Sequence, residues 1–337
     1  MKSLVCFYKD NQYIYSDNYL RIECNSDVFE FLSEVEQNYT LELKIVQVDF
    51  DLKSACIFII NTYTLLTPLL LADDVKVDLE FTPQISKQSF CSKIVTIQKD
   101  ISAGRYYQVN LTSSLISQTD EDSFLLFKKF FSVFKSRYSA FLPMKNFEIL
   151  CYSPELFLEK NDSTIKTQPI KGTLLSKNST DLMESKKETA ELSMIVDLLR
   201  NDLNGICTGP VVVTKHRELL DLGYTQHTYS EISGETELQL PQILKLTLPG
   251  GSISGCPKIE SLKAIAELEE SSRGFYTGVI GWWQNNNFKL NLAIRSIKKE
   301  NTELTYYAGC GIVYDSVPEL EWQEFLTKAG KLKIKNV

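Results

Sequence analysis

The chain has 337 residues, 43% of them hydrophobic and 23% charged, with a formal net charge of −7. That is globular composition, long enough to bury a large core. The acidic balance and the lack of any Lys/Arg run argue against a partner with a phosphate backbone, so no nucleic acid is expected.

The amino terminus, MKSLVCFYKD, meets a charge too early for a secretion signal, and a cytoplasmic location is expected. The uncharged stretch Ala55–Ala72 is nearly of membrane-span length, but Asn61, Thr62, Thr64, Thr67 and Pro68 interrupt it. Two short buried strands joined by a turn are expected there, not a lipid-facing helix. Otherwise residues 1–85 form strand-like and helix-like pieces without a chemical motif. From Ser86 onward Phe90, Ile94, Ile97 and Ile101 recur at helical spacing and Gly104 ends the run. YQVNLTSSLI then reads as a strand. Asp181–Leu203 predicts a helix with Leu192, Ile195, Leu199 and Leu203 on one stripe. Glu188 and Glu191 project from neighbouring positions on its surface.

The glycine-rich turn PGGSISGCPK leads into a helix opened by Pro257, with Ile259, Leu262, Ile265 and Leu268 on its buried side. Phe275–Gln284 reads as a strand and Asn285–Asn287 as a turn. Phe288–Ile297 alternates, with Arg295 on the face opposite Phe288, Leu290, Leu292 and Ile294. A third strand, Leu304–Ala308, runs into GCGIVYDS. The last helix, about Glu319–Leu332, puts Glu321, Glu324 and Lys328 on one side. Antiparallel runs with helices between them predict an α+β sandwich, not a parallel nucleotide-binding sheet.

Eight cysteines lie at 6, 24, 56, 91, 151, 207, 256 and 310, too dispersed for a metal knuckle or a CxxC pair. They read as buried free thiols, and two histidines, His216 and His227, argue against a zinc enzyme. Glu191 and Glu324 sit on different helices, each beside an apolar stripe. They are either solvated helix positions or two oxygen ligands of one hard cation. Lys171, bracketed by Pro169 and Gly172 at a sharp turn, is a surface lysine or a placed nucleophile. GGSISGCPK lacks the Gly-Lys-Ser/Thr ending of a phosphate loop, and Pro257 removes a donor. GCGIVY is an incomplete dinucleotide fingerprint, though amides near Gly309 and Gly311 can cradle a carboxylate. His227 and Arg295 each read equally as ordinary packed or exposed positions.

The ordered motifs go further. YQVNLT (107–112), SPELF (153–157), TQPIKGT (167–173), AELSMIVDLLRNDL (190–203), LPGGSISGCPK (248–258), YTGVIGWW (276–283), AIRS (293–296), AGCGIVYDS (308–316) and EWQEFLTK (321–328) occur in sequence. Across residues 86–332 the chain resembles the chorismate-utilising enzymes, which include anthranilate, aminodeoxychorismate, isochorismate and salicylate synthases. The resemblance implies a sandwich of two large antiparallel sheets flanked by helices, with the site between the sheets. It divides the chain into a shortened N-terminal region, 1–85, that contributes to the sandwich, and a chorismate-binding catalytic domain, 86–337.

The resemblance also implies residue roles. Glu191 and Glu324 would bind Mg²⁺, with Glu188 and Glu321 as further carboxylates near it. Arg295 and the amides around Gly309 and Gly311 would hold the enolpyruvyl carboxylate. Gln108, Thr173, His227 and Lys328 would line the same pocket, and Glu155 would be the general acid at the C4 hydroxyl. Isochorismate and salicylate synthases carry a lysine base where this chain has Gln108. Anthranilate synthases read PIAGT where it reads PIKGT, so Lys171 implies the aminodeoxychorismate branch. There the neutral lysine amine attacks C2 and ammonia later adds at C4. A glutamine amidotransferase subunit would supply that ammonia, and a separate lyase would act on the product. The alternatives are an anthranilate-forming sister enzyme and a non-catalytic chorismate-binding subunit.

Overall fold

The computed structural model describes residues 4–9, 12–24, 26–66, 77–134, 136–175, 186–221, 225–329 and 332–335, without the side chains of residue 66, of 172–175, of 186–190, of Asp221 or of Thr225. No described helix is long and apolar enough to cross a membrane.

The long strands form one hydrogen-bonded antiparallel ribbon that folds into two facing halves. In the first half Val212–Asp221 pairs with Thr225–Glu235, followed by Thr164–Gln168, Leu156–Asn161, Asn287–Leu292, Val279–Gln284, Leu43–Val48 and Ala55–Leu66. The second half continues from Ala55–Leu66 through Gln12–Cys24, Val5–Lys9, Tyr138–Pro143, Glu148–Ser153, Ser296–Glu300, Glu303–Ile312 and Gln108–Gln118. Strands from the first 66 residues thus join the two halves. Side chains on a strand alternate between faces, and here the alternation separates two cores. Cys56, Phe58 and Ile60 meet Val5, Phe7 and Leu142 between the halves. Ala55, Ile57 and Ile59 face the other way, into the core that the helices cover. The expected α+β sandwich with outer helices is what the chain forms.

The helices follow their local signals. Ser86 accepts a hydrogen bond from Ser89 N and caps the helix Lys87–Ser102, which buries Phe90, Ile94 and Ile97. Phe90 packs its ring 5.5 Å from Trp322 and 5.2 Å from Phe325, docking this helix on the last one, Pro318–Lys328. The helix Lys186–Asn204 buries the stripe Leu192, Ile195, Leu199 and Leu203 as its spacing predicts.

Several expectations need correction. Ala55–Leu66 is one strand, not two; Asn61 to Leu65 are exposed there, so polar residues cost nothing. Thr67 and Pro68 lie outside the described residues. Ile259 is 70% exposed, and the helix Lys258–Leu268 instead buries Ser261, Ala264 and Ile265. Small residues let it approach the sheet closely enough for Ser261 Oγ to donate to Gln108 O at 3.0 Å. The strand expected from Phe275 begins at Val279, after a turn closed by Gly278 N to Phe275 O at 3.0 Å. The strand expected over Leu304–Ala308 is longer: Glu303–Ile312 runs through both glycines of AGCGI. A Cβ at Gly309 would lie 2.6 Å from Thr112 Cγ2 and 2.7 Å from Asn110 Oδ1, so glycine is what admits the neighbouring strand.

Candidate active site

Two chain crossovers create the site. The strand Glu148–Ser153 belongs to the second half and Leu156–Asn161 to the first, so Pro154 and Glu155 carry the chain across the seam. Asn287–Leu292 and Ser296–Glu300 repeat this in reverse, with Ala293, Ile294 and Arg295 crossing. The continuous strand expected over Phe288–Ile297 is therefore broken, and Arg295 takes φ +49, a left-handed conformation in the turn. The crossovers run side by side: Leu292 N donates to Glu155 O at 3.2 Å and Tyr152 N donates to Arg295 O at 3.1 Å. Glu155 and Arg295 thereby come to the same place from sequence positions far apart.

Glu155 is 6% exposed. Burial pushes its carboxyl up to about 7, and the Lys171 charge is the largest influence pulling it back, ahead of Ser252, Lys328 and Arg295. Ser252 Oγ donates to Glu155 Oε1 at 2.9 Å. A carboxyl balanced in this way can hold or release a proton near neutral pH, as a general acid must. Lys171 is held by backbone pairing: it faces Thr228 on the strand Thr225–Glu235, and Thr228 Oγ1 donates to Lys171 O at 2.9 Å. The sharp turn expected at Pro169 is only a gap in the ladder, because strands on both sides of it pair with Thr225–Glu235. Beside Thr228 on that strand, His227 is buried and stands 3.4 Å from Arg295 Nη2 through its Nε2.

The second half supplies the opposite wall. Lys328 Nζ donates to Gly309 O at 2.7 Å and lies 2.8 Å from Glu324 Oε1. Burial works against the Lys328 ammonium, but the Cys310 sulfur and the Glu324 carboxylate beside it more than offset this and raise its pKa. Because the Gly309 carbonyl serves Lys328, residue 309 directs its backbone polar groups away from the paired strand, and Gly311, two residues on, faces the same way. A Cβ at Gly311 would collide with the Gln108 side-chain amide. Gln108 is buried, and its Oε1 has no hydrogen-bond partner among the described residues, which suits a group kept for a polar ligand.

The carboxylates expected near a metal divide. Glu321 and Glu324 come together with Cys310, their ligand atoms all within 4.8 Å of one another. Glu321 is buried and its Oε1 accepts from Ser316 Oγ at 2.8 Å, a hydrogen bond that fixes the carboxylate in place. Two carboxylates at this spacing fit a hard divalent cation. Glu191 is half-buried on the helix Lys186–Asn204 and is not in that group. The side chains of Thr173 and Glu188 lie outside the described residues. Sequence reasoning missed Ser252 and Cys310. The first sits in GGSISG and the second in AGCGIV, so both motifs were read for their glycines.

Residues 5–333 match the chorismate binding enzyme family, and the chain belongs to it. The match reaches well upstream of residue 86, where the resemblance read from the motifs begins. Among its relatives, the chain is 33% identical over 262 residues to aminodeoxychorismate synthase component 1 of Bacillus subtilis, covering 74% of this chain and 56% of that protein. It is 34% identical over 269 residues to anthranilate synthase component 1 of Lactococcus lactis, covering 76% and 59%. The chain thus spans less than two thirds of the length of these curated relatives. Its fold is similar to that of anthranilate synthase component I from Streptococcus pneumoniae, with a TM-score of 0.79, 25% identity, and 97% and 89% coverage.

Proposed function

We infer that the chain is the chorismate-aminating component of an aminodeoxychorismate synthase, converting chorismate and ammonia to 4-amino-4-deoxychorismate. The observation that carries this reading is Lys171, whose charge is the one felt most strongly by the buried Glu155 carboxyl. A lysine near a carboxyl that titrates around neutral pH is the pair needed for one group to attack C2 while the other protonates the departing C4 hydroxyl. Electrons shift across the ring from the new C2–N bond to the breaking C4–O bond, and water leaves. Ammonia then adds at C4, the same shift runs back, and Lys171 is released. Gln108 supports the assignment by exclusion, since an amide cannot deprotonate water for attack at C2.

Arg295, with His227 at 3.4 Å, and Lys328 offer positive charge to the two carboxylates of chorismate. Mg²⁺ held by Glu324 and Glu191, with Glu321 and Glu188 near it, would neutralise the ring carboxylate and polarise the ring. Ammonia would come from a glutamine amidotransferase subunit, in keeping with relatives that are themselves called component 1. Incubating the purified chain with chorismate, Mg²⁺ and ammonium, and identifying the product by mass spectrometry, tests the reading. The expected product is 4-amino-4-deoxychorismate, formed from ammonium, and from glutamine only when a glutaminase is added. Anthranilate as the main product would place the chain with the sister enzymes instead.

Glu191→Gln and Glu324→Gln each remove one negative charge with little change of shape. Each is expected to raise the Mg²⁺ concentration needed for half-maximal rate by about tenfold or more while thermal unfolding stays near wild type. Near-normal turnover at low Mg²⁺ in either variant would reject that residue as a ligand.

A further inference from the structure

The wall that carries Glu324 also carries a thiol. Cys310 lies near the end of the strand Glu303–Ile312 with its side chain fully buried, and its Sγ approaches Glu321 O at 3.5 Å. Sγ and one carboxylate oxygen each from Glu321 and Glu324 lie within 4.8 Å of one another, and among the described residues no other such group includes a cysteine. We propose that Cys310, Glu321 and Glu324 hold a thiophilic divalent cation of the Zn²⁺ or Cd²⁺ class, which withdraws Glu324 from the hard cation and so inhibits the enzyme.

The chemistry follows from ligand type. Oxygen ligands alone favour a hard ion, whereas one thiolate with two carboxylates suits Zn²⁺ far better than Mg²⁺. Small side-chain rotations would bring the three atoms to about 2.0–2.3 Å from one central ion, with a fourth position left open. Binding deprotonates the thiol: the S–H bond breaks, a sulfur–metal bond forms and one proton is released. The site already accepts positive charge, because the Lys328 ammonium rests 2.8 Å from Glu324 Oε1. An incoming ion displaces it there, and Lys328 retains its bond to Gly309 O. The Ser316 hydroxyl keeps Glu321 oriented throughout. Cation binding stands on these three side chains; the inhibition rests on the reading of Glu324 as a Mg²⁺ ligand.

Titrating Cd²⁺ into the full chain and following the ultraviolet thiolate-to-cadmium charge-transfer band tests the site without reference to turnover. One equivalent of Cd²⁺ is expected to saturate a band that Cys310→Ser removes. Glu321→Gln leaves the thiol in place and is expected to weaken Cd²⁺ binding by about tenfold or more. No band in the wild-type chain, or a band of full amplitude in Cys310→Ser, overturns the proposal. In turnover, Zn²⁺ is expected to compete with Mg²⁺, and a chelator to restore the rate. A Cys310-dependent band without that competition overturns the inhibition. The Mg²⁺ titrations of Glu191→Gln and Glu324→Gln then tell whether the hard-cation assignment failed with it.

Discussion

Lys171→Ala is expected to lose C4 amination by on the order of 10³-fold or more, the scale of removing a covalent nucleophile. Wild-type chain given chorismate and Mg²⁺ without ammonia is expected to carry a covalent adduct on Lys171, because the step that expels the lysine needs ammonia at C4. Peptide mapping by mass spectrometry detects it, and the Ala variant shows none. A small C2-aminated product is expected from that variant, since ammonia can enter the vacated space while Glu155 still assists loss of the C4 hydroxyl. Arginine does not rescue, because its guanidinium stays protonated. If Lys171 only paired with a substrate carboxylate, the Ala variant would bind chorismate weakly yet make the same C4 product, and neither protein would be labelled.

Glu155→Gln separates chemistry from stability, because the two move in opposite directions. Turnover is expected to fall by about 10²–10⁴-fold with the loss of a general acid. In the wild type the rate at a fixed concentration of free ammonia should decline as pH rises through about 7, where Glu155 loses its proton; the variant should lack this limb. The folded carboxyl is raised from 4.5 to about 7, so folding favours its protonated form. The stability it contributes is complete below the unfolded value and is lost as pH climbs through the folded one. Gln has no such charge to bury. By denaturant titration at about pH 9 the variant is therefore expected to be more stable than wild type by up to roughly 3 kcal/mol, and alike at about pH 4. A variant that is both inactive and less stable at high pH would mean Glu155 is held ionised by its cationic neighbours, and that the acid lies elsewhere.

Much of this site was legible in the sequence because its residues sit on strongly patterned elements. Glu324 and Lys328 are four apart on a helix with clear phasing, and they pair as that spacing requires. The capped helix at Ser86 and the stripe from Leu192 to Leu203 were readable for the same reason. Arg295 was named through the resemblance, but its place in a crossover was not legible, because hydrophobic alternation runs through Ile294 with no sign that the chain leaves one half of the ribbon for the other there. Nor was the juxtaposition of Glu155 with Ser252, which joins a crossover to a glycine-rich segment 97 positions later. Local periodicity carries no information about which distant segments meet. Ile259 misled for a different reason: close packing against the sheet selected the small residues Ser261 and Ala264 over the larger apolar one.

The strands that join the two halves have a consequence for how the molecule comes into being. Val48 pairs with Val279, and Cys6 with Phe141, so the join uses the earliest segments of the chain and closes only when much later ones arrive. Closing such large loops costs entropy before the contacts return it, which places this chain among slow folders with a high contact order. Lys171 and His227 belong to one half, Lys328 and Glu324 to the other, so neither half alone assembles the proposed site. During synthesis the proposed site therefore stays incomplete until the helix Pro318–Lys328 has docked.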